Sequence, residues 1–177
     1  DNDGFPDVFV TALGPDHLYR NNGDGTFSAW PAGVEGNDWS TSAMFTDWDG
    51  DGFLDLYVAK YLEFDEHEIP VPGDGACFYG AVEVFCGPEG LTGTRDKFYR
   101  NSGDGTFLPW MESEIDPDAT YGFALIATDC DSDGRPEIYV ANDSNINLLY
   151  RRTSNGGIED WALFGGSGYS GDGREQA

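Results

Sequence analysis

Two short signatures alternate along this chain. An internal repeat of that kind restricts the fold more than any composition does, because every copy must build the same unit and stack it on its neighbours. The first signature is acidic: Asp1-Asn2-Asp3-Gly4-Phe5-Pro6-Asp7, then Asp47-Trp48-Asp49-Gly50-Asp51-Gly52-Phe53-Leu54-Asp55, then Asp129-Cys130-Asp131-Ser132-Asp133-Gly134-Arg135-Pro136-Glu137. The second is a strand running into a tight turn: Leu18-Tyr19-Arg20-Asn21-Asn22-Gly23-Asp24-Gly25-Thr26-Phe27, and again Phe98-Tyr99-Arg100-Asn101-Ser102-Gly103-Asp104-Gly105-Thr106-Phe107. Leu149 to Gly157 is a weaker third copy.

Spacing sets the size of the unit. From loop glycine to the following tyrosine is 15 residues (Gly4 to Tyr19) or 16 (Gly134 to Tyr150), but 47 from Gly52 to Tyr99. From tyrosine to the next loop glycine is 33 or 35. One unit is therefore about 48–51 residues, a length that suits a four-stranded propeller blade, and the middle unit carries about 32 extra.

No apolar period of 3.6 residues is sustained anywhere. Short alternating runs such as Leu56-Tyr57-Val58-Ala59 and Ile138-Tyr139-Val140-Ala141 recur instead, bounded by Gly, Asn and Asp. The chain reads as all-β, with β-propeller-type repeats of four-stranded antiparallel blades and about three and a half units present. Strand one enters the acidic loop (Thr41–Thr46, Phe123–Thr128), strand two leaves it, strand three ends at Tyr-Arg-Asn, and strand four starts at Gly-Thr-Phe after a hairpin turn. The units read as 1–40, 41–120 with an insertion at about 61–93, and 121–165, with 166–177 leading into a next repeat. Since antiparallel connections alternate between the two ends of a sheet, the insertion is expected at the end away from the acidic loops. The chain opens inside a motif, so its natural start is expected upstream.

Charge supplies the chemistry. Thirty-three acidic residues against nine basic ones give −24, a field that repels nucleic acid and anionic membrane surfaces. No run of eighteen apolar residues exists to insert in a bilayer. The aspartates follow D-x-D-x-D-G-x-x-D, which offers side-chain oxygens at positions 1, 3, 5 and 9 and a backbone carbonyl at 7. Ca²⁺ takes six to eight hard oxygen ligands, and glycine at position 6 permits the sharp turn around it. The expected ligands are Asp1, Asp3, Asp7 and the Phe5 carbonyl; Asp47, Asp49, Asp51, Asp55 and the Phe53 carbonyl; and Asp129, Asp131, Asp133, Glu137 and the Arg135 carbonyl. An EF-hand is excluded, because position 12 is Val10, Val58 or Val140 within a strand, with no flanking helices. About three ions, one per loop, would leave the loaded chain at −18.

These residues resemble the FG-GAP/VCBS repeats of integrin α-subunit propellers and of many secreted bacterial proteins. Asp47–Ala59, Cys86-Gly87-Pro88 through Gly93, Asp96–Phe107, Tyr139–Ser144 and Asp172–Ala177 resemble in particular the branch containing cartilage acidic protein and bacterial proteins with a UnbV-type C-terminal domain. The resemblance implies a seven- or eight-bladed propeller, Ca²⁺ in the one-two loops and no catalytic activity. Three and a half units do not close such a ring, so further repeats or other chains are implied.

Cys77 and Cys86 lie nine apart in the insertion; a disulfide suits the oxidising surroundings of a secreted calcium protein, and two reduced thiols are the alternative. Cys130, at loop position 2, is expected to point away from the ion, and no role is assigned to it. Asn142-Asp143-Ser144 fits a glycosylation sequon, and the same asparagine also suits a structural turn. The only histidines, His17 and His67, sit in no catalytic motif, and Trp30, Trp39, Trp48, Trp110 and Trp161 read as blade-packing residues. The expected function is a calcium-binding module of the cell exterior, cell surface or periplasm that binds protein or glycan and acts as a scaffold rather than an enzyme. The alternatives are that its repeats build an extracellular fibre by self-assembly, or form a non-catalytic accessory domain of a larger secreted enzyme.

Overall fold

The structure, a computed structural model, describes residues 1–34, 36–67, 77–84, 86–88, 90–110 and 118–175. Residues 68–76, 85 and 89 of the insertion, and 176–177 of the closing segment, thus lie outside the described residues.

Three antiparallel sheets follow one another along the chain. The first holds β1 (Val8–Val10), β2 (His17–Asn21) and β3 (Phe27–Ala29) in that order. The second holds β4 (Ser40–Thr46) and β5 (Asp55–Lys60), then β8 (Lys97–Asn101) and β9 (Phe107–Pro109). Between β5 and β8 a separate two-residue hairpin forms from β6 (Phe78–Tyr79) and β7 (Val82–Glu83). The third sheet is β10 (Gly122–Thr128), β11 (Glu137–Asn142), β12 (Leu148–Arg152) and β13 (Ile158–Asp160). A four-residue helix, α1 (Ala162–Gly165), follows. The chain is all-β, and its sheets have the blade order expected of the repeat.

Register places the acidic loops identically. Thr46 pairs with Asp55 and Thr128 with Glu137, so loop position 9 is the first residue of the outgoing strand in both sheets. The insertion leaves from the other end of β5, where an antiparallel bridge between Leu62 and Gly93 closes its neck. Its hairpin is held by a disulfide from Cys77 to Cys86, with a Cα–Cα distance of 5.3 Å.

Packing explains why the period-2 runs are apolar on both faces in the middle unit. Every residue of β5 is buried. Leu56 and Val58 face the first sheet, in a cluster with Leu18, Val34, Tyr99 and Phe107. Tyr57 faces the third, with Trp48, Phe98, Ile138, Val140 and Tyr150. A strand sandwiched between two sheets has no solvent side, so alternation between polar and apolar residues gives way to alternation between two cores. Trp48 is fully buried, in line with a packing role.

The second-signature turns separate two kinds of glycine. Gly25 and Gly105 occupy the same turn position at φ +88° and +87°. A Cβ on Gly25 would meet nothing within 4 Å, whereas one on Gly105 would lie 2.2 Å from the Trp30 ring. Gly25→Ala is expected to cost only the left-handed backbone penalty, about 1 kcal/mol. Gly105→Ala adds overpacking between the first two sheets and should cost about 3 kcal/mol. Urea unfolding of both variants checks this, and equal losses would mean that Trp30 does not seat on the turn.

Candidate metal centre

Each acidic loop is built from local hydrogen bonds that its own spacing permits. The position 3 carboxylate accepts from the position 5 N–H: Asp1 from Asp3 (3.0 Å), Asp49 from Asp51 (3.1 Å), Asp131 from Asp133 (3.1 Å). The position 5 carboxylate accepts from the position 7 N–H, as Phe5, Phe53 and Arg135 each donate at 2.9 Å to Asp3, Asp51 and Asp133. Asp47 accepts from Gly50 and Gly52, and Asp129 from Asp133 and Gly134. Such short side-chain-to-backbone bonds are why Asp and Asn outcompete regular structure in turns. Two left-handed residues complete the wrap: position 6 is always glycine, and position 4 is Asn2, Gly50 or Ser132 with φ between +63° and +76°.

Position 9 closes the loop. One oxygen of Asp55 accepts from the Trp48 N–H (3.1 Å) and the other from the Asn101 N–H (3.0 Å), which ties the loop to the strand that ends the second signature. Asp7 accepts likewise from the Asn21 N–H (2.9 Å), and Glu137 from the Cys130 N–H (2.8 Å). Sequence reading assigned this residue to metal alone. Its second role explains why an acid recurs there at the strand entrance, and the asparagine of each Tyr-Arg-Asn was the available signal.

The fold brings Asp47, Asp49 and Asp55 together with one oxygen each within 4.8 Å of the others, and does the same for Asp129, Asp131 and Glu137. Asp51 and Asp133, at position 5, stand outside these groups: Arg100 Nη2 lies 3.3 Å from Asp51, and Arg135 Nη2 lies 2.8 Å from Asp133. In the first loop Arg20 spans Asp1 (Nε, 2.5 Å) and Asp3 (Nη2, 3.5 Å). The position 7 residues enter these bonds through their N–H groups.

The middle cluster is short of positive charge. Burial pushes the Asp55 carboxyl up to about 6, with Asp49 and Asp51 adding to the rise against the two N–H donors. Arg100 reaches Asp49 Oδ2 at 2.6 Å, and Asp49 first among its neighbours holds the guanidinium above its ordinary value. An all-oxygen, partly buried set that raises its own carboxyl pKa is chemically suited to a hard divalent cation. Residues 47, 49 and 55 would hold it in the middle loop, and 129, 131 and 137 in the third.

Cys130 departs from expectation. Its thiol donates to Glu137 Oε2 at 3.0 Å instead of turning away, because its N–H already binds that oxygen and draws the side chain alongside. The carboxylate raises the thiol to about 11, which leaves it protonated and unreactive at neutral pH. Asn142 is buried; its Nδ2 donates to the Ile146 carbonyl (2.7 Å) and its Oδ1 accepts from Thr120 (3.1 Å). A glycan would replace one hydrogen of that nitrogen at a residue only 5% exposed, beside the turn bond.

A family model described as an FG-GAP-like repeat matches residues 1–58 and 80–140, more than half of the chain. None of the curated proteins compared with it matches.

Proposed function

Since this chain belongs to the FG-GAP-like repeat family, whose repeats are generally extracellular, typically non-catalytic β-modules, we propose that it is a calcium-stabilised binding and scaffolding module outside the cytoplasm. The observation that carries this reading is the recurrence of one oxygen cage, at positions 1, 3 and 9, in two separate sheets. The cages sit where each sheet's first hairpin turns, so a bound ion would fix the strand pair that starts the blade. The disulfide suits an oxidising compartment, and no helix among the described residues is long and apolar enough to cross a membrane.

Within the family, the Cys86-Gly87-Pro88 and Asp172–Ala177 stretches favour the branch that includes cartilage acidic protein and the UnbV-type secreted proteins. We place the repeat borders at 1–40, 41–120 and 121–165. The partner surface is the end opposite the acidic loops, where the stapled hairpin exposes Phe78, Tyr79 and Val82. Its occupant is a protein or a glycan.

Calorimetric titration of calcium into chelator-treated protein tests the metal. Asp49→Asn removes a cage charge while leaving its N–H acceptor oxygen, and should weaken binding at one site by about tenfold or more. Asp24→Ala removes a carboxylate that serves only the Thr26 turn and should leave calcium affinity unchanged. Equal effects from the two would show that diffuse acidity, not the cage, attracts the ion.

A further inference from the structure

An arginine sits at the same place in all three sheets. It is the middle residue of Tyr-Arg-Asn in the first two, Arg20 and Arg100, and Arg151 in the third. Each guanidinium lies over a tryptophan that follows the last strand of its own sheet: Arg20 over Trp30 at 5.8 Å, Arg100 over Trp110 at 5.6 Å, and Arg151 over Trp161 at 4.3 Å from the ring centroid. What the arginines touch besides the ring differs. Arg20 and Arg100 reach the Oδ2 atoms of positions 3 and 5 of their loops, at 2.5 and 3.5 Å in the first and 2.6 and 3.3 Å in the second. Arg151 is taken by Glu159 at 2.5 Å on the neighbouring strand, facing it across the β12–β13 pair.

From this we infer that Arg100 is a built-in counter-cation: it holds the middle acidic loop closed without metal and gives up the carboxylates when a divalent ion arrives. The inference rests on the calcium reading. The Oδ1 atoms of Asp49 and Asp51 accept the backbone N–H groups of residues 51 and 53, and their Oδ2 atoms, which accept no backbone N–H, are the ones the guanidinium occupies. Two cations cannot share them closely, since like charges repel strongly in a half-buried site. The displaced guanidinium has a place to stand, because it is half-exposed (50%) and already stacked on an aromatic face. Calcium binding at the middle loop is thus a cation exchange within the blade. In the third loop Arg151 is diverted to Glu159, and the arginine on a loop carboxylate is Arg135, which pairs position 5 alone, outside the oxygen cage.

This role predicts effects of opposite sign from one substitution. Arg100→Gln should lower the melting temperature in chelator, where Asp49 and Asp51 lose the guanidinium that pairs them. The same change should tighten calcium binding at one site by about fivefold, the size of a partly exposed ion pair. A merely structural arginine would lower both quantities, and one that orients Asp49 for the ion would weaken binding; either result overturns the inference. Arg151→Gln is the control for general electrostatics. An unchanged affinity supports the exchange, and a gain equal to that of Arg100→Gln overturns it. Wild-type protein that takes up no calcium in the same calorimeter would sink the metal reading itself, whereas wild-type binding with a weaker Arg100→Gln sinks only the arginine's role.

Discussion

In excess EDTA the protein is expected to melt about 10–20 °C below its calcium-loaded form. A ligand at a hundred times its dissociation constant stabilises by about 2.7 kcal/mol per site, and 1 kcal/mol moves the midpoint of a domain this size by about 2–4 °C. Two cages, Asp47/Asp49/Asp55 and Asp129/Asp131/Glu137, therefore account for the range. The loss arises because carboxylates about 4 Å apart repel by roughly 4 kcal/mol at an effective dielectric near 20 once nothing neutralises them. Arg100 offsets part of that in the middle loop, so the chelated protein should still fold. Magnesium should restore little, since its small octahedral shell fits a flexible aspartate loop poorly. Differential scanning fluorimetry with EDTA, then calcium, then magnesium decides. Identical midpoints in all three would remove the metal from the account.

The second large effect lies at the opposite end of the sheets. Lys60 Nζ is buried at 1% exposure, 3.1 Å from Asp16 Oδ2 and 2.6 Å from Ser40 Oγ. The Ser40 hydroxyl donates to the same Asp16 oxygen at 2.7 Å, and the other Asp16 oxygen accepts from the Ala12 N–H. This network fastens the loop between β1 and β2 to the last residue of β5, joining two blades through a buried charge pair. Removing one partner strands the other, at a cost of about 3–5 kcal/mol. Lys60→Met should lower the urea midpoint by roughly 2 M. Because a buried pair is worth little against apolar packing of similar volume, the double variant Lys60→Met/Asp16→Leu should recover most of the loss. A single-variant loss below about 1 kcal/mol would show that solvent reaches the pair.

Asp16 also reveals what a linear reading passes over. Asp16, Asp96 and Asn147 stand immediately before β2, β8 and β12 respectively. Each accepts a backbone N–H from the end of a neighbouring strand: Ala12 just after β1 (3.1 Å), Lys60 closing β5 (2.7 Å) and Asn142 closing β11 (2.9 Å). They form a repeated brace at the end opposite the acidic loops. Their spacing is hidden because the middle unit's insertion separates Lys60 from Asp96 by 36 residues, against four or five in the others. The insertion itself reads clearly from tyrosine-to-glycine distances, and its two cysteines are bonded.

Where an interaction spans two or three residues, the sequence alone determines it. The acidic loops, their glycine turns and the alternating strands follow from bonds made by near neighbours, whose geometry hardly depends on the rest of the chain. That is why loop limits, strand order within a sheet and the candidate oxygens are legible in the residues. Which charge meets which was decided only by the tertiary structure. Arg100 lies 49 residues from Asp51, and β5–β8 pairing brings it onto the loop, while Arg151 at the matching place turns to Glu159. Cys130 leans on Glu137 and Lys60 vanishes into a core for the same reason. A side chain several bonds long reaches whatever the strand register sets beside it, and the register of β5 against β8, which no short turn joins, depends on which faces of the two strands are buried.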